Sequence, residues 1–158
     1  MRQFWVLVLC AALLFSACSV RRHVLHNSEE AELLAEERGR LLQLTDPVQK
    51  TKSYITISSI LLDFATSLAS DGNMDGMKTL LVQYQTTIQD ASDTMINSDR
   101  DARTNPAGFR DLDEALRPQV SRLKALKERV TPVDRQPVDT ALSTANSARE
   151  RILKLLSF

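Results

Sequence analysis

From Asn27 to Phe158 the sequence contains no cysteine, no histidine and no tryptophan. Without cysteine this stretch forms no structural disulfide. Without cysteine and histidine it lacks the usual nucleophile–base pairings of covalent and acid–base catalysis. Carboxylate-only chemistry is what remains. Proline and glycine are also scarce, at five and four residues in 158, and they fall mostly where one periodic segment hands over to the next. There is no repeat of 20 to 50 residues and no low-complexity segment. Charge of one sign is missing as well: Lys plus Arg and Asp plus Glu both number 20. A near-neutral chain offers no general electrostatic case for nucleic acid.

Long hydrophobic runs are missing too, with one exception. Phe4 to Phe15 is a run of 12 apolar residues behind the short positive start Met1-Arg2-Gln3, the n-region and h-region order of an export signal. A membrane-spanning helix needs about 20 apolar residues. Even counted through Val20 the run reaches 17, with Ser16 and Ser19 already polar. Export followed by cleavage therefore fits better than a transmembrane anchor.

The run closes on Leu14-Phe15-Ser16-Ala17-Cys18, which resembles the lipobox of bacterial lipoproteins. In that family two small residues precede a cysteine that is lipidated and becomes the mature N-terminus. Ser16 and Ala17 match the small positions, while Phe15 stands where an aliphatic residue is usual. The resemblance covers five residues and implies a lipid, palmitate among its acyl chains, on Cys18. In Gram-negative members a residue other than Asp after the cysteine is associated with the outer membrane, facing the periplasm, and here that residue is Ser19. The alternative is ordinary cleavage after Ser19, since Ala17-Cys18-Ser19 also reads as small-x-small; it would discard Cys18 and release a soluble protein.

Removing residues 1–17 leaves 141 residues, with 19 Lys plus Arg against 20 Asp plus Glu. That is the size of one domain with one core. Arg21, Arg22, His23 and His26 follow the expected anchor. They either lie at anionic headgroups, at about 1 kcal/mol per charge near the surface, or form a solvated tether over 18–27. A metal site from His23 and His26 with Glu29 or Glu30 is the sharper alternative to a solvated linker, but it has no cysteine or buried scaffold to support it.

Beyond the tether the apolar spacing is helical almost everywhere. Asn27 with Glu30 resembles a capping box for a first helix over about 28 to 45. Asp46-Pro47 is a cap and first-turn signal for a second, to about 70. Ser53 to Ser58 is its weak point, because Ile55 and Ile57 alternate with polar residues as in a strand. Met77, Leu80, Leu81, Tyr84, Ile88, Ala91 and Met95 form the clearest stripe, and it reads as core before cofactor box. Asn105-Pro106 is expected to open a fourth helix, kinked at Pro118. Thr131-Pro132, with Asp134 three residues on, is expected to open a fifth, which Pro137 could delay. Matched lengths and short loops predict an all-α fold over 28–158: an antiparallel up-down-up-down four-helix bundle with an additional N-terminal helix.

One segment carries a motif. Asp71-Gly72-Asn73-Met74-Asp75-Gly76 matches the first half of an EF-hand calcium loop, in which alternate residues turn their oxygens inward and a glycine permits the bend. Position twelve, normally a bidentate Glu, is Val82, and position nine is Thr79. Asp71, Asn73 and Asp75 are thus candidate ligands for weak calcium. The plainer alternative is that Gly72 or Asn73 ends one helix and Asp75 caps the next. Asp111, Asp113 and Glu114 cluster near Arg110 and Arg117, a mixture that reads as a solvated helix face with i, i+4 pairs.

The expected function is that of a lipid-anchored cell-envelope bundle, non-enzymatic and without cofactor, acting as an accessory subunit for a protein partner. The alternative is an envelope protein that binds a small ligand or weak calcium.

Overall fold

The computed structural model describes residues 29–157. Cys18, His23, His26 and the cap expected at Asn27 lie outside the described residues. The chain divides into two compact units between Ala35 and Glu36. Among the described residues no strand occurs. No helix among them is long and apolar enough to cross a membrane.

The first helix, α1, runs over 29–41 and not to 45. Proline at 47 disfavours a helical residue before it, and Asp46 is extended (φ −71°, ψ 126°). The chain therefore leaves the helix before Asp46, through turns in which the Gln43 and Leu44 amides donate to Arg40 and Leu41 carbonyls at 3.0 and 3.3 Å. The first two helices are therefore separate elements. From Glu36 onward α1 belongs to the bundle's unit: Arg38 donates to Gln83 Oε1 at 2.7 Å, and Ser53 donates to Glu37 Oε2 at 2.5 Å.

Helix α2, Pro47–Ser70, starts as its sequence signals, with Asp46 Oδ2 accepting from the Gln49 amide at 2.9 Å. That backbone bond leads the causes holding the Asp46 carboxyl below its ordinary range. The segment that alternates like a strand is helical throughout. Within it Thr56 and Ser58 donate to the carbonyls of Lys52 and Ile55, as Thr51 just before it does to that of Pro47, while Ser53 reaches across to Glu37 of α1. This local back-bonding lets Thr51 and Ser58 be fully buried in α2 without an unmet donor.

Helix α3 spans Met74–Ile96, and Met77, Leu81, Tyr84, Ile88, Ala91 and Met95 are all fully buried. Helix α4 is Phe109–Arg129, starting after Asn105-Pro106 and not at it. Gly108 supplies the reason, because its φ of 77° lies outside the right-handed helix and fixes the cap there. Pro118 is carried inside α4; it withholds the amide that would have bonded the carbonyl four residues back. A 3₁₀ turn, Pro132–Asp134, precedes α5, Arg135–Ser157. Thr131 does not cap it with a side-chain bond to backbone; its hydroxyl donates to Asp134 Oδ2 at 2.7 Å.

The helices alternate in direction along the chain and form a bundle. Helices α2 and α3 pair as one hairpin and α4 and α5 as another, while α2 also lies beside α4 and α3 beside α5. Those cross-hairpin neighbours run parallel. Lys52 near the start of α2 meets Asp111 near the start of α4 at 3.7 Å, and Arg122 meets Asp63 further along both. Likewise Lys78 at the start of α3 meets Asp134 at 2.9 Å and Asp93 meets Arg151 at 2.7 Å. Helices α3 and α4 are thus diagonal partners with little contact. The longer connection over 97–108 exists to cross that diagonal, whereas the hairpin turns are short.

Candidate functional site

The candidate calcium loop is the turn between α2 and α3. Asp71 is the C-cap of α2, its amide donating to Ser67 and Ala69 carbonyls. Gly72 takes the left-handed conformation at φ 77°, as the helix-ending alternative requires. The cap of α3 is Asn73 and not Asp75: Asn73 Oδ1 accepts from the Gly76 amide at 2.9 Å. Asp75 sits in the first turn, 99% exposed at its side chain, with Lys78 Nζ at 3.6 Å. The one amide oxygen of the triad is therefore occupied by backbone. Among the described residues no three His, Cys, Asp or Glu side chains are grouped to hold a metal ion.

These positions set a specific outcome. Asn73→Ala is expected to destabilise the fold by about 1 kcal/mol in urea denaturation, the usual cost of a lost N-cap. Asp75→Ala is expected to leave the urea midpoint within error, because its carboxylate holds no backbone donor. A larger shift for Asp75→Ala than for Asn73→Ala would reverse the assignment.

The acidic cluster of α4 separates into unlike environments. Arg110 and Glu114 are exposed and Asp111 is half-buried toward Lys52, as a solvated face requires. Asp113 is different, at 3% exposure in the core. Its Oδ1 accepts from Arg149 Nε at 2.7 Å, and its Oδ2 accepts from Arg117 Nε at 3.1 Å and from the Arg117 terminal nitrogen. Burial pushes the Asp113 carboxyl up, but the bonds and charges of Arg117 and Arg149 together outweigh it and hold it below the ordinary carboxylate range. The i, i+4 pair expected with Arg117 is present, and Arg149 adds a clamp between α4 and α5.

A depressed folded-state pKa means stabilisation that is present above the unfolded value, about 3.9 for Asp, and lost as pH falls through the folded value. Asp113→Asn is expected to cost about 1 to 2 kcal/mol at neutral pH, below the range for a fully buried pair because Arg117 reaches solvent. Urea titrations at pH 7 and pH 3 should show that difference shrinking at the lower pH. A difference that is constant with pH would rule out the charged clamp.

A second polar group is buried deeper, on helices α2, α3 and α4. Gln119 Nε2 donates to Ser58 Oγ at 3.0 Å, and Tyr84 Oη donates to Gln119 Oε1 at 3.0 Å. Burial pushes the Tyr84 phenol far above its ordinary range, with the nearby Arg122 charge opposing in part. It stays protonated and keeps donating. Because Gln119 bonds both a parallel neighbour and the diagonal helix, it fixes the register of α2, α3 and α4 at one level. The sequence reading places Asp113 on a solvated face and passes over Gln119, although each is buried beside the stripe of Phe109, Leu112, Leu116, Val120 and Leu123.

The chemistry of these buried groups is structural: every acceptor of Asp113 and the oxygen of Gln119 is engaged by protein donors. No protein-family model matches the chain, and neither a curated protein nor a solved structure is found to match it.

Proposed function

We propose that this chain is a lipid-anchored protein of the bacterial cell envelope whose helical bundle serves as a non-enzymatic accessory subunit for a protein partner. The observation that carries it is the segment Leu14-Phe15-Ser16-Ala17-Cys18 at the end of a short apolar run. In this reading the signal occupies 1–17, Cys18 bears the lipid, and residues 18–27 tether the bundle. Ser19 favours the outer membrane, with the bundle in the periplasm.

The internal use of the bundle's chemistry supports a partner over a substrate. Among its buried polar side chains, Tyr84 and Gln119 bond each other and Asp113 bonds the arginines around it. Several surface charges are paired between helices, as in Asp63–Arg122, Lys127–Asp139 and Asp93–Arg151. A mixed, paired surface suits recognition by shape and local charge more than long-range steering of an ion.

Cross-linking in intact cells, followed by isolation of the tagged chain from membranes, tests this. A protein recovered in constant ratio with the wild type, and diminished with Cys18→Ser, is the expected result. Recovery of the chain with no protein in constant ratio would contradict the accessory role.

A further inference from the structure

At the end of the bundle where α3 and α5 finish and α4 begins lies a cavity of about 340 Å³. That volume is at the lower end of small-molecule sites, roughly 300 to 1,000 Å³. Its apolar wall is Ile96, Phe109 and Leu155, and Arg100, Arg103 and Lys154 stand around it. Phe109 is 1% exposed and forms a fixed floor, whereas Leu155 is 41% exposed at the mouth.

The three cations are not equally committed. Arg100 is paired with Asp46 at 2.9 Å. Arg103 and Lys154 have exposed side chains, and among the described residues neither makes an ion pair. Asp101, the one acid among the described residues that line the cavity, is already turned to its own loop: Oδ1 accepts from the Arg103 amide at 3.0 Å and Oδ2 from Thr104 Oγ1 at 3.2 Å. The rim therefore offers unpaired positive charge above an apolar floor. Lys52, Lys78, Arg122, Lys127, Arg149 and Arg151, by contrast, are each paired with a carboxylate on another element of the bundle.

We infer that this cavity binds a small amphiphilic anion, with its carboxylate or phosphate head on Arg103 and Lys154 and its apolar body against Ile96, Phe109 and Leu155. An arginine fork matches either head in two parallel bonds, and an ammonium adds a compact second charge. The apolar floor disfavours a bare inorganic anion, which would be desolvated there without compensation. Lys154 also lies in the last turn of α5, where a cation offsets the helix's partial negative charge. Arg103, in the connection before α4, has no such second role and carries the discrimination. The site does not depend on acylation of Cys18, so its failure and the failure of the anchoring proposal are separate events.

Calorimetric titration of the purified full chain with sodium octanoate, octyl phosphate and octanol tests it, with Arg103→Gln and the Arg103→Gln/Lys154→Gln double variant alongside. Saturable binding of octanoate or octyl phosphate is expected, at least tenfold tighter than octanol and weakened by raising salt. The anion that binds tighter identifies the head group. Arg103→Gln should weaken binding severalfold and the double variant at least tenfold, with melting temperatures within 2 °C of the parent. Binding of octanol as tight as that of both anions, affinity unchanged in the double variant, or no saturable binding of either anion would overturn the site.

Discussion

With Cys18 replaced by serine, the protein is expected to leave the membrane fraction completely while its far-UV spectrum and melting temperature stay unchanged. The substitution removes the only cysteine beyond the apolar run that could carry a lipid. It preserves Ala17-x-Ser19, so ordinary cleavage after Ser19 remains open. The run of Phe4 to Phe15 is too short to hold the chain by itself, and among the described residues no helix can span a membrane. The fold should be indifferent because the core, from Val48 to Ile152, begins far from residue 18. Fractionation by ultracentrifugation, with and without high salt, separates lipid anchoring from electrostatic adhesion. Retention of Cys18→Ser on the membrane in high salt would refute a lipid as the anchor.

Gly108→Val is expected to be the most destabilising single substitution considered, at about 3 kcal/mol. Two effects combine. An L-residue held at φ 77° is strained by about 1 to 2 kcal/mol, and a β-branched one is worse placed there. A Cβ at this position would also lie 2.7 Å from Met95 Sδ and 3.3 Å from Val48 Cγ2. The methionine is flexible in principle, but Met95 is fully buried, so it can yield only by repacking the core, and overpacking adds about 1 to 3 kcal/mol. Gly108 is the point at which the diagonal connection comes down between the end of α3 and the start of α2. Gly39 is the control, since nothing lies within 4 Å of a Cβ built on it and it sits in α1 with ordinary helical backbone. Gly39→Ala should be neutral or stabilising by up to about 1 kcal/mol. Urea denaturation of both variants checks the pair, and a Gly108→Val midpoint equal to the parent's would remove the strained-cap explanation.

What could be read in the sequence follows from how local each cause is. The α3 stripe was legible because a 3.6-residue period and burial are two views of one geometry, and its residues from Met77 to Met95 fill the core. Asp46-Pro47 was legible because both residues act on the adjacent helix start. Asn73 was misjudged because Asn and Asp two residues apart are both competent caps, and only the position of Gly72 decides which one the turn uses. Asn105-Pro106 misled in the same way, since Gly108 overrides it three residues later. Asp113 and Gln119 occupy core phases of α4, yet their polarity hid them; Arg149, Ser58 and Tyr84, the partners that make their burial tolerable, lie 35 to 61 residues away. The parallel placement of α2 beside α4 could not be read either, because alternating direction along the chain permits more than one arrangement around the core.

The anchoring chemistry at Cys18 is the centre of the proposed function, and the intact mass and N-terminal peptide of the protein purified from membranes test it most directly. The predicted result is a chain that begins at Cys18 and carries acyl groups on it. An unmodified chain that begins at Val20 would contradict it and leave an exported, unanchored helical bundle.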